Sequence, residues 1–376
     1  MPIYKMKGKK DGKQKYRVRV NYIDNLGKAK QIDRVAYGLE DAKQLERELN
    51  YSLKEETPTA RMTVNDLYEE YIKAKRHEVR ETTLDTASRT IKRYVIPHLG
   101  ETRIDKLTAP KLQEWKQKIE ELGLSIVTRQ NIYGAFCAML NYAVKLEYIP
   151  KNPLSLVGNF KAPLEIKKEM QYYTAEEFKA FIKAAKENAV QSENEGYMHK
   201  WHYYVFFNIA FYTGMRKGEI HALQWTDIKD GYISITKSLA QKLKGADRIT
   251  PPKNKSSIRT IQIPTPLKDI LDEHYKRCQT MDGFNDSYLI CGGTKALRDT
   301  SIQNELKRYA EKAGVKIIRV HDFRHSHASL LANEGINIQE VARRLGHAKI
   351  SMTWETYSHL YPREEERAVQ ILNKIV

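Results

Sequence analysis

The chain contains few cysteines, no long apolar run and no internal repeat. Cysteine occurs three times in 376 residues, at Cys137, Cys278 and Cys291, and this spacing gives neither a disulfide framework nor a CxxC pair. No apolar run approaches the roughly 18–20 residues that span a bilayer, and the N-terminus lacks the apolar region of a signal peptide. A P-loop sequence is also missing. We therefore expect an intracellular protein that neither crosses a membrane nor depends on a nucleotide triphosphate.

The charge of the chain is strongly positive. Lysine and arginine number 64 against 47 aspartates and glutamates, which gives a net charge of +17 and a pI near 9.4. The hydrophobic fraction of 41% is that of a globular protein, and the length of 376 residues suggests two or three domains. Such an excess favours a polyanionic partner, either nucleic acid or an anionic membrane surface. Because no membrane segment accompanies it, nucleic acid is the leading candidate.

The N-terminal segment changes from basic to acidic along its length. Residues 1–30 hold ten Lys or Arg, and the stretch YRVRVNYIDNLGKAKQI alternates apolar and basic positions around an NLG turn, which predicts a β-hairpin. The next stretch, LEDAKQLERELNYSLKEE, has apolar residues at helical spacing, namely Leu39, Ala42, Leu45 and Leu49. We predict a small basic sheet backed by one helix over residues 1–57, with a partly disordered basic arm as the alternative.

Three further segments follow the N-terminal one. Residues 62–150 carry four amphipathic helical patterns, which can pack into a small bundle. The stretch PKNPLSLVGNFKAPLEIKKEM contains three prolines and little periodicity, which predicts an inter-domain linker over residues 151–170. Residues 171–376 contain helices and a short β-region at GYISIT and IRTIQIP.

The stretch HDFRHSHAS at residues 321–329 places three histidines and one arginine close together. A metal site would use His321 and His325, which lie one helical turn apart. A zinc protease, however, has a glutamate directly after the first histidine, where this chain has Asp322, and Arg324 would repel the ion. No downstream set of His, Cys or Asp has convincing ligand spacing, so we expect no metal.

A phosphate-binding site explains Arg324 directly, because a guanidinium donates two parallel hydrogen bonds to phosphate oxygens and stays charged. One arginine does not neutralise the charge on a pentacoordinate phosphorus, so we expect a second. The stretch FYTGMRKGEIHALQW supplies Arg216 after a glycine turn, followed by Glu219, which can hold or orient it. Further along, RRLGHAKISMTWETYSHLY places His347 after another glycine turn and Tyr357 ten residues later.

The order TGMRKGEI, HDFRH, LGH and TYSH resembles the tyrosine recombinases, the family of site-specific DNA recombinases that includes integrases of Gram-positive phages and conjugative transposons. The resemblance implies a multidomain, mainly α fold with small β-sheets. Its parts are an N-terminal arm-type DNA-binding domain with a three-stranded sheet plus a helix (1–57), a helical, SAM-like core-binding bundle (62–150), a linker (151–170) and a mixed α+β catalytic domain (171–376). An amphipathic tail helix at 363–376 docks on a neighbour in trans or packs in cis.

Carried over motif by motif, the resemblance implies six catalytic residues: Arg216, Lys253, His321, Arg324, His347 and Tyr357. The lysine assignment uses the stretch TPPKNKSSIRTIQIP, which is similar to the K-T-x-x-S-x-R run of the family. Asn254 replaces the usual threonine there, and Lys255 is the alternative lysine. His325 and His327 match no catalytic role in the family. His325 is expected to support the site through packing or an indirect hydrogen bond, and His327 is expected to be structural.

These residue types suit the chemistry of phosphodiester cleavage. A tyrosine oxygen is a workable nucleophile toward phosphorus, and the phosphotyrosyl bond conserves energy for religation. The unperturbed phenol has a pKa near 10, so its deprotonation needs help, for which His321 is the candidate. Lys253 would protonate the departing 5′-oxygen, and His347 would donate to a non-bridging oxygen. Neither a metal nor another cofactor is required.

The resemblance implies an integrase that inserts and excises a mobile element through a 3′-phosphotyrosyl intermediate and a Holliday junction. The implied partners are double-stranded DNA at core and arm sites and three further copies of the chain, which complete a homotetramer. An excisionase or a host DNA-bending factor is a candidate partner, and a membrane is not. The implied location is the bacterial cytoplasm, at the nucleoid.

Two other functions use parts of the same pattern. A type IB topoisomerase-like nicking and closing enzyme shares the arginine, lysine, histidine and tyrosine chemistry. A non-catalytic DNA-binding regulator would use residues 338–357, whose pattern is typical of a helix-turn-helix. Each motif taken alone also has a plain structural explanation, since Tyr357 is one of 23 tyrosines. The recombinase interpretation is preferred because one reaction explains all six residues.

Overall fold

The computed structural model describes nine segments of the chain: 3–10, 12–23, 29–55, 62–161, 170–241, 247–252, 255–361, 369–370 and 372–373. The chain divides into two compact units, Met1–Ile166 and Lys167–Val376. The described residues are mainly α-helical, with small antiparallel sheets, which confirms the predicted fold class. The predicted tail helix at 363–376 lies for the most part outside the described residues, and its docking in cis or in trans stays a prediction.

The first unit begins with a three-stranded antiparallel sheet and one helix. These elements are β1 (Ile3–Lys10), β2 (Lys13–Ile23), β3 (Ala29–Tyr37) and α1 (Leu39–Glu55). Side chains of β2 alternate between faces because of the two-residue period of a strand, and Val18 and Val20 pack with Ala42 of the helix. Arg17 and Arg19 therefore lie on the opposite, open face of the sheet.

The rest of the first unit is a helical bundle with one continuous core. Its helices are α2 (Val64–Lys75), α3 (Glu81–Tyr94), α4 (Ile96–Leu99), α5 (Ala109–Glu121), α6 (Ile126–Lys145) and α7 (Leu154–Val157). A capping box between Thr63 and Asp66 begins α2, because each side chain satisfies a backbone N–H of the other residue. The core centres on Trp115 and Phe136, whose rings meet edge to face at 5.2 Å.

Part of the predicted linker belongs to this bundle core. Leu154 and Phe160 are buried within it, and the Tyr133 hydroxyl donates to the Leu154 carbonyl at 3.0 Å. The Gln130 side chain donates to the Phe160 carbonyl at 3.1 Å. Because this stretch contains prolines and has an irregular backbone, its apolar residues follow no helical or strand period. The sequence pattern therefore did not predict their burial. Residues 162–169 lie outside the described residues, and the domain boundaries stay predictions.

The second unit surrounds a large apolar core. Its helices are α8 (Ala175–Asn194), α9 (His199–Thr213), α10 (Lys217–Ala222), α11 (Thr265–Gln279), α12 (Asp299–Ala313), α13 (Asp322–Asn333), α14 (Ile338–Leu345) and α15 (Ile350–Tyr357). Helix α9 is buried on nearly every side, which is typical of a central core helix. It therefore holds the residues that follow its C-terminus in fixed positions.

Five short strands complete the second unit. They are β4 (Ile228–Lys229), β5 (Tyr232–Ile235), β6 (Ser238–Ala240), β7 (Arg248–Thr250) and β8 (Arg259–Gln262). Strands β4, β5 and β8 form one antiparallel sheet, and β6 pairs with β7. The pairing of Ile233 with Ile261 joins the two stretches that the sequence predicted to be β-structure.

Candidate active site

Arg216 stands at a tight junction between α9 and α10. Helix α9 ends at Gly214, whose left-handed conformation (φ 63°) suits glycine. A Cβ at Gly214 would lie 2.7 Å from the His327 ring, so no other residue fits without displacement. Arg216 then begins α10, and its backbone N–H and its guanidinium both donate to Glu219 at 2.9 Å. Glu219 therefore orients the arginine, as the sequence predicted.

Three arginines converge on the C-terminus of α14. Arg259 Nε donates to the carbonyl of Arg344 at 2.6 Å, Arg324 Nη2 to that of Leu345 at 2.7 Å, and Arg216 Nη2 to that of Gly346 at 3.2 Å. The last carbonyls of a helix have no partner within the helix and carry partial negative charge. They are consequently good acceptors for guanidinium groups. Side chains from three distant parts of the sequence are thus fixed side by side.

The arginine cluster (Arg216, Arg259 and Arg324) has an excess of positive charge. Glu219 is the carboxylate that bonds to it among the described residues, accepting from Arg259 at 2.9 Å as well as from Arg216. Burial of the carboxylate acts against ionisation, but Arg259 and Arg216 outweigh it and lower the pKa of Glu219. Three positive charges and one negative charge leave a net charge of +2. The net positive charge of the cluster therefore favours the binding of an anion.

Arg324 is the most deeply placed member of the cluster. Its side chain is 3% exposed, and Nη1 donates to the Gly214 carbonyl at 2.8 Å. Burial, together with the charges of Arg216 and Arg259, lowers the pKa of Arg324 to about 9. The guanidinium remains protonated at neutral pH. Its repulsion from its neighbours would be relieved by a bound phosphodiester.

Tyr357 ends α15 with its ring in a small apolar core. The ring is 2% exposed and packs with Leu345 and with Ala328 of α13. Its hydroxyl lies 2.7 Å from Nδ1 of His325. Burial raises the pKa of Tyr357 to about 12, and the charge of Arg324 acts in the opposite direction. The phenol is therefore protonated in the free protein.

The two remaining predicted histidines lie near the arginine cluster. His347 follows Gly346, and its Nδ1 lies 2.8 Å from the Thr353 hydroxyl, which fixes the ring. Burial and the charges of Arg324 and Arg216 lower the pKa of His347 to about 4, so its ring is neutral. His321 precedes α13 and is exposed. Its ring meets that of His325 edge to face at 5.4 Å.

Lys253 lies outside the described residues, as does Asn254, and for Lys255 only the backbone is described. The strand pair β6–β7 precedes this stretch. Gln241, directly after β6, accepts from the backbone N–H of Asp299 at 3.1 Å, and Asp247, directly before β7, accepts from Arg298 at 3.0 Å; both lie at the end of the pair where Ala240 faces Arg248. The start of α12 therefore holds both strands of the pair. The choice between Lys253 and Lys255 stays a prediction.

The structure brings five of the six predicted residues into one region, adds Arg259, and gives His325, which was expected to support the site through packing or an indirect hydrogen bond, a direct contact with Tyr357. Arg259 joins the arginine cluster. It occupies the last position of the K-T-x-x-S-x-R run, and this position could have identified it from the sequence. His325 contacts Tyr357, a position where His321 was expected. His327 is buried, and its Nδ1 donates to the Phe211 carbonyl at 2.8 Å, which fits its expected structural role.

The described residues contain no group of three or more His, Cys, Asp or Glu side chains that could hold a metal ion. Among the same residues, no helix is long and apolar enough to pass through a lipid bilayer.

Two family models match the chain. The phage integrase family matches residues 171–364, and the N-terminal SAM-like domain of phage integrases matches residues 63–119. The first match covers more than half of the chain and contains the arginine cluster and Tyr357. The chain belongs to the phage integrase family. It is a tyrosine recombinase, and its function is that of an integrase of mobile elements.

Individual relatives agree with this assignment. The ICEBs1 integrase of Bacillus subtilis is 29% identical over an alignment of 295 residues, gaps included, that covers 76% of each chain. The Tn1549 transposon integrase, solved with a circular intermediate DNA, superimposes with a TM-score of 0.66 at 21% identity and covers 84% of this chain and all of the other. A λ integrase tetramer on a Holliday junction gives a TM-score of 0.58 at 17% identity, with 97% of each chain covered. The two solved structures establish the similarity of fold.

Proposed function

We propose that this recombinase cleaves DNA by attack of the Tyr357 oxygen on a scissile phosphate, which gives a 3′-phosphotyrosyl link and a free 5′-hydroxyl. The observation that carries the proposal is the arginine cluster, fixed on three successive carbonyls and left with a net positive charge. Arg216 and Arg324 would bind the non-bridging oxygens, where negative charge increases in the transition state. The 5′-hydroxyl of a partner duplex would then attack the link.

The histidines would complete the phosphate site. His347 is neutral and held by Thr353, so its remaining ring nitrogen can donate to a non-bridging oxygen without adding charge. His321 is exposed at the start of α13, where the charges of Arg324 and Arg216 reach its ring. We assign it a contact with the phosphate, because the Tyr357 hydroxyl is hydrogen-bonded to His325 and not to His321.

The test of the proposed reaction uses a suicide duplex that carries a nick beside the cleavage position. Cleavage of this duplex releases a short fragment, so the covalent adduct cannot religate and accumulates. We expect wild-type protein to form an adduct with the 3′-end of DNA from the element ends, but not with unrelated duplexes. A type IB topoisomerase-like enzyme would relax plasmids without any sequence requirement, and a non-catalytic regulator would bind the duplex without forming an adduct.

Lys253 is proposed as the general acid that protonates the departing 5′-oxygen. We expect Lys253→Ala to lower the cleavage rate by about 10²–10⁴-fold, the usual contribution of a positioned proton donor. A substrate with sulfur at the 5′-bridging position should restore the rate, because a thiolate leaves without a proton. Lys255→Ala is the matched control and should cleave the normal substrate. Loss of cleavage in Lys255→Ala, with rescue by sulfur only in that variant, would instead assign the acid to Lys255.

The active assembly is proposed to be a homotetramer on two duplexes, with pairs of subunits active in turn through a Holliday junction. The similarity to λ integrase, which has been solved as a tetramer on such a junction, supports this assembly. Integration and excision differ in their DNA partners, so an excisionase or a host DNA-bending factor is a candidate for setting the direction. The site of action is proposed to be the bacterial nucleoid, because the substrate is chromosomal DNA.

The N-terminal sheet is proposed to bind arm sites through its open face. Tyr4, Arg17 and Arg19 share the side of the sheet opposite α1. We expect Arg17→Ala to weaken binding to arm-site DNA and to reduce the slope of log K against log salt by about 0.9, the value for one neutralised phosphate. Lys43→Ala, on α1, is the control and should leave the slope unchanged. Equal slopes for both variants would contradict binding by the open face.

A further inference from the structure

The contact between His325 and Tyr357 joins two helices across the candidate active site. His325 lies one turn inside α13, and Tyr357 ends α15. The distance of 2.7 Å between Nδ1 and the hydroxyl oxygen is that of a strong hydrogen bond. Among the described residues, His325 is the side chain that lies within hydrogen-bond distance of this hydroxyl. The proposed nucleophile is thus held by a group that can accept a proton.

The protonation states of His325 and Tyr357 decide which of the two groups donates this hydrogen bond. Burial and the neighbouring His321 lower the pKa of His325 to about 4, so its imidazole is neutral at physiological pH. The phenol, with a pKa raised to about 12, keeps its proton. A neutral imidazole with its proton on Nε2 accepts at Nδ1. In this tautomer the lone pair of Nδ1 points at the proton that Tyr357 must lose.

Other groups near Tyr357 are poorly suited to take its proton. Asp322 is buried close by, but Arg319 occupies both of its carboxylate oxygens, with bonds of 2.8 Å from the backbone N–H and from Nη2. Arg324 is cationic and has no acceptor. His321 is exposed and has no hydrogen bond to the hydroxyl among the described contacts. His325 therefore remains the acceptor that the geometry favours.

We propose that His325 is a further catalytic residue, the general base that removes the proton of Tyr357 during attack. As the bond from the tyrosine oxygen to phosphorus forms, the proton moves from that oxygen to Nδ1 and the bond from phosphorus to the 5′-oxygen breaks. The departing 5′-oxygen takes its proton from the general acid, proposed above as Lys253. Religation reverses each step, and His325 returns its proton to the tyrosine oxygen as it leaves phosphorus.

This assignment explains how the free protein keeps its nucleophile inactive. With a weakly basic imidazole and a weakly acidic phenol, proton transfer in the absence of DNA is strongly unfavourable. A phosphodiester in the arginine cluster changes both groups, because its negative charge stabilises an imidazolium and attack on phosphorus consumes the phenolate. Deprotonation is therefore coupled to the presence of substrate.

The first experiment separates a base from a residue that only positions the hydroxyl. Asparagine places an oxygen close to where histidine has Nδ1, so His325→Asn retains an acceptor but cannot take a proton at neutral pH. In single-turnover cleavage of the suicide duplex, we expect both His325→Asn and His325→Ala to be slower than wild type by about 10²–10⁴-fold, with duplex binding retained. Cleavage by His325→Asn within a few-fold of wild type would overturn the proposal.

The second experiment changes the acidity of the phenol. A fluorinated tyrosine placed at position 357 loses its proton more easily and depends less on a base. We expect it to reduce the difference between wild type and His325→Asn by about tenfold or more, while the loss caused by His321→Asn stays the same. An undiminished difference for His325→Asn would contradict the proposal. If only one of the two His325 variants binds the duplex normally, that variant is used for the comparison.

The inference depends on the proposed role of Tyr357, and the two can fail separately. An adduct formed by Tyr357→Phe would place the nucleophile elsewhere and would refute the proposed function of this residue. Absence of that adduct, together with fast cleavage by His325→Asn, would refute only the assignment of His325.

Discussion

Tyr357→Phe is expected to abolish the covalent adduct while leaving duplex binding intact. The ring lies in an apolar core with Leu345 and Ala328, so phenylalanine fills the same space. The change removes one hydroxyl and its bond to His325, which should lower the free energy of unfolding by only about 1 kcal/mol. Cleavage, by contrast, loses its nucleophile completely. Adduct formation on the suicide duplex and a binding titration measure the two effects.

Tyr361→Phe provides the matched control for this prediction. Tyr361 lies four residues further along and packs at the edge of the same core, and its buried hydroxyl has no protein partner in the described structure. Removing that hydroxyl should leave the adduct yield unchanged. An adduct that persists in Tyr357→Phe and disappears in Tyr361→Phe would show that the nucleophile had been assigned to the wrong tyrosine.

Arg324→Ala is expected to lower the cleavage rate by about 10³-fold or more, the usual effect of removing an arginine that stabilises a phosphoryl transition state. That loss corresponds to about 4 kcal/mol. Stability should fall as well. The carbonyls of Gly214 and Leu345 lose a buried donor, at about 1–3 kcal/mol each. Removal of a desolvated charge beside Arg216 and Arg259 partly offsets this cost. Single-turnover cleavage and urea unfolding provide the two measurements.

Arg343→Ala is the control for removal of one positive charge near the same place. Arg343 belongs to α14 but is exposed, and it forms a surface ion pair with Glu340 at 2.6 Å. Exposed pairs of this kind contribute about 0–1 kcal/mol, so the variant should cleave and unfold nearly like wild type. If Arg324→Ala lost no more activity than Arg343→Ala, the arginine cluster could not be the phosphate site.

The sequence predicted much of the site because its residues follow local signals. Arg216 and His347 each come shortly after a glycine whose left-handed conformation ends a helix, Gly214 and Gly346. Such turns are visible in the sequence because few other residues tolerate that conformation. The β-strands around Ile233 and Ile261 could also be predicted, because the alternation of apolar and polar residues in a strand is a signal that lies within a few neighbouring residues.

The features that the sequence did not predict depend on contacts between distant segments. The bond between His325 and Tyr357 spans 32 residues and requires the packing of α13 against α15. Leu154 and Phe160 are buried by packing against the core of the helical bundle, which the stretch itself, lacking helical periodicity, does not reveal. The third arginine, Arg259, bonds to Arg344 at the C-terminus of α14, 85 residues further along the chain. Local sequence patterns carry no information about contacts between segments that lie so far apart in the chain.

The use of main-chain acceptors by the arginine cluster affects how the protein can evolve. Every residue type offers the same carbonyl, so an exchange of the half-buried side chain at position 344 leaves the three acceptors in place, whereas the side chain of Leu345 is also needed to pack against Tyr357. An insertion or deletion between Arg344 and Gly346 would shift all of them at once. The length of this turn therefore constrains the arginine cluster more tightly than the side chain at position 344 does.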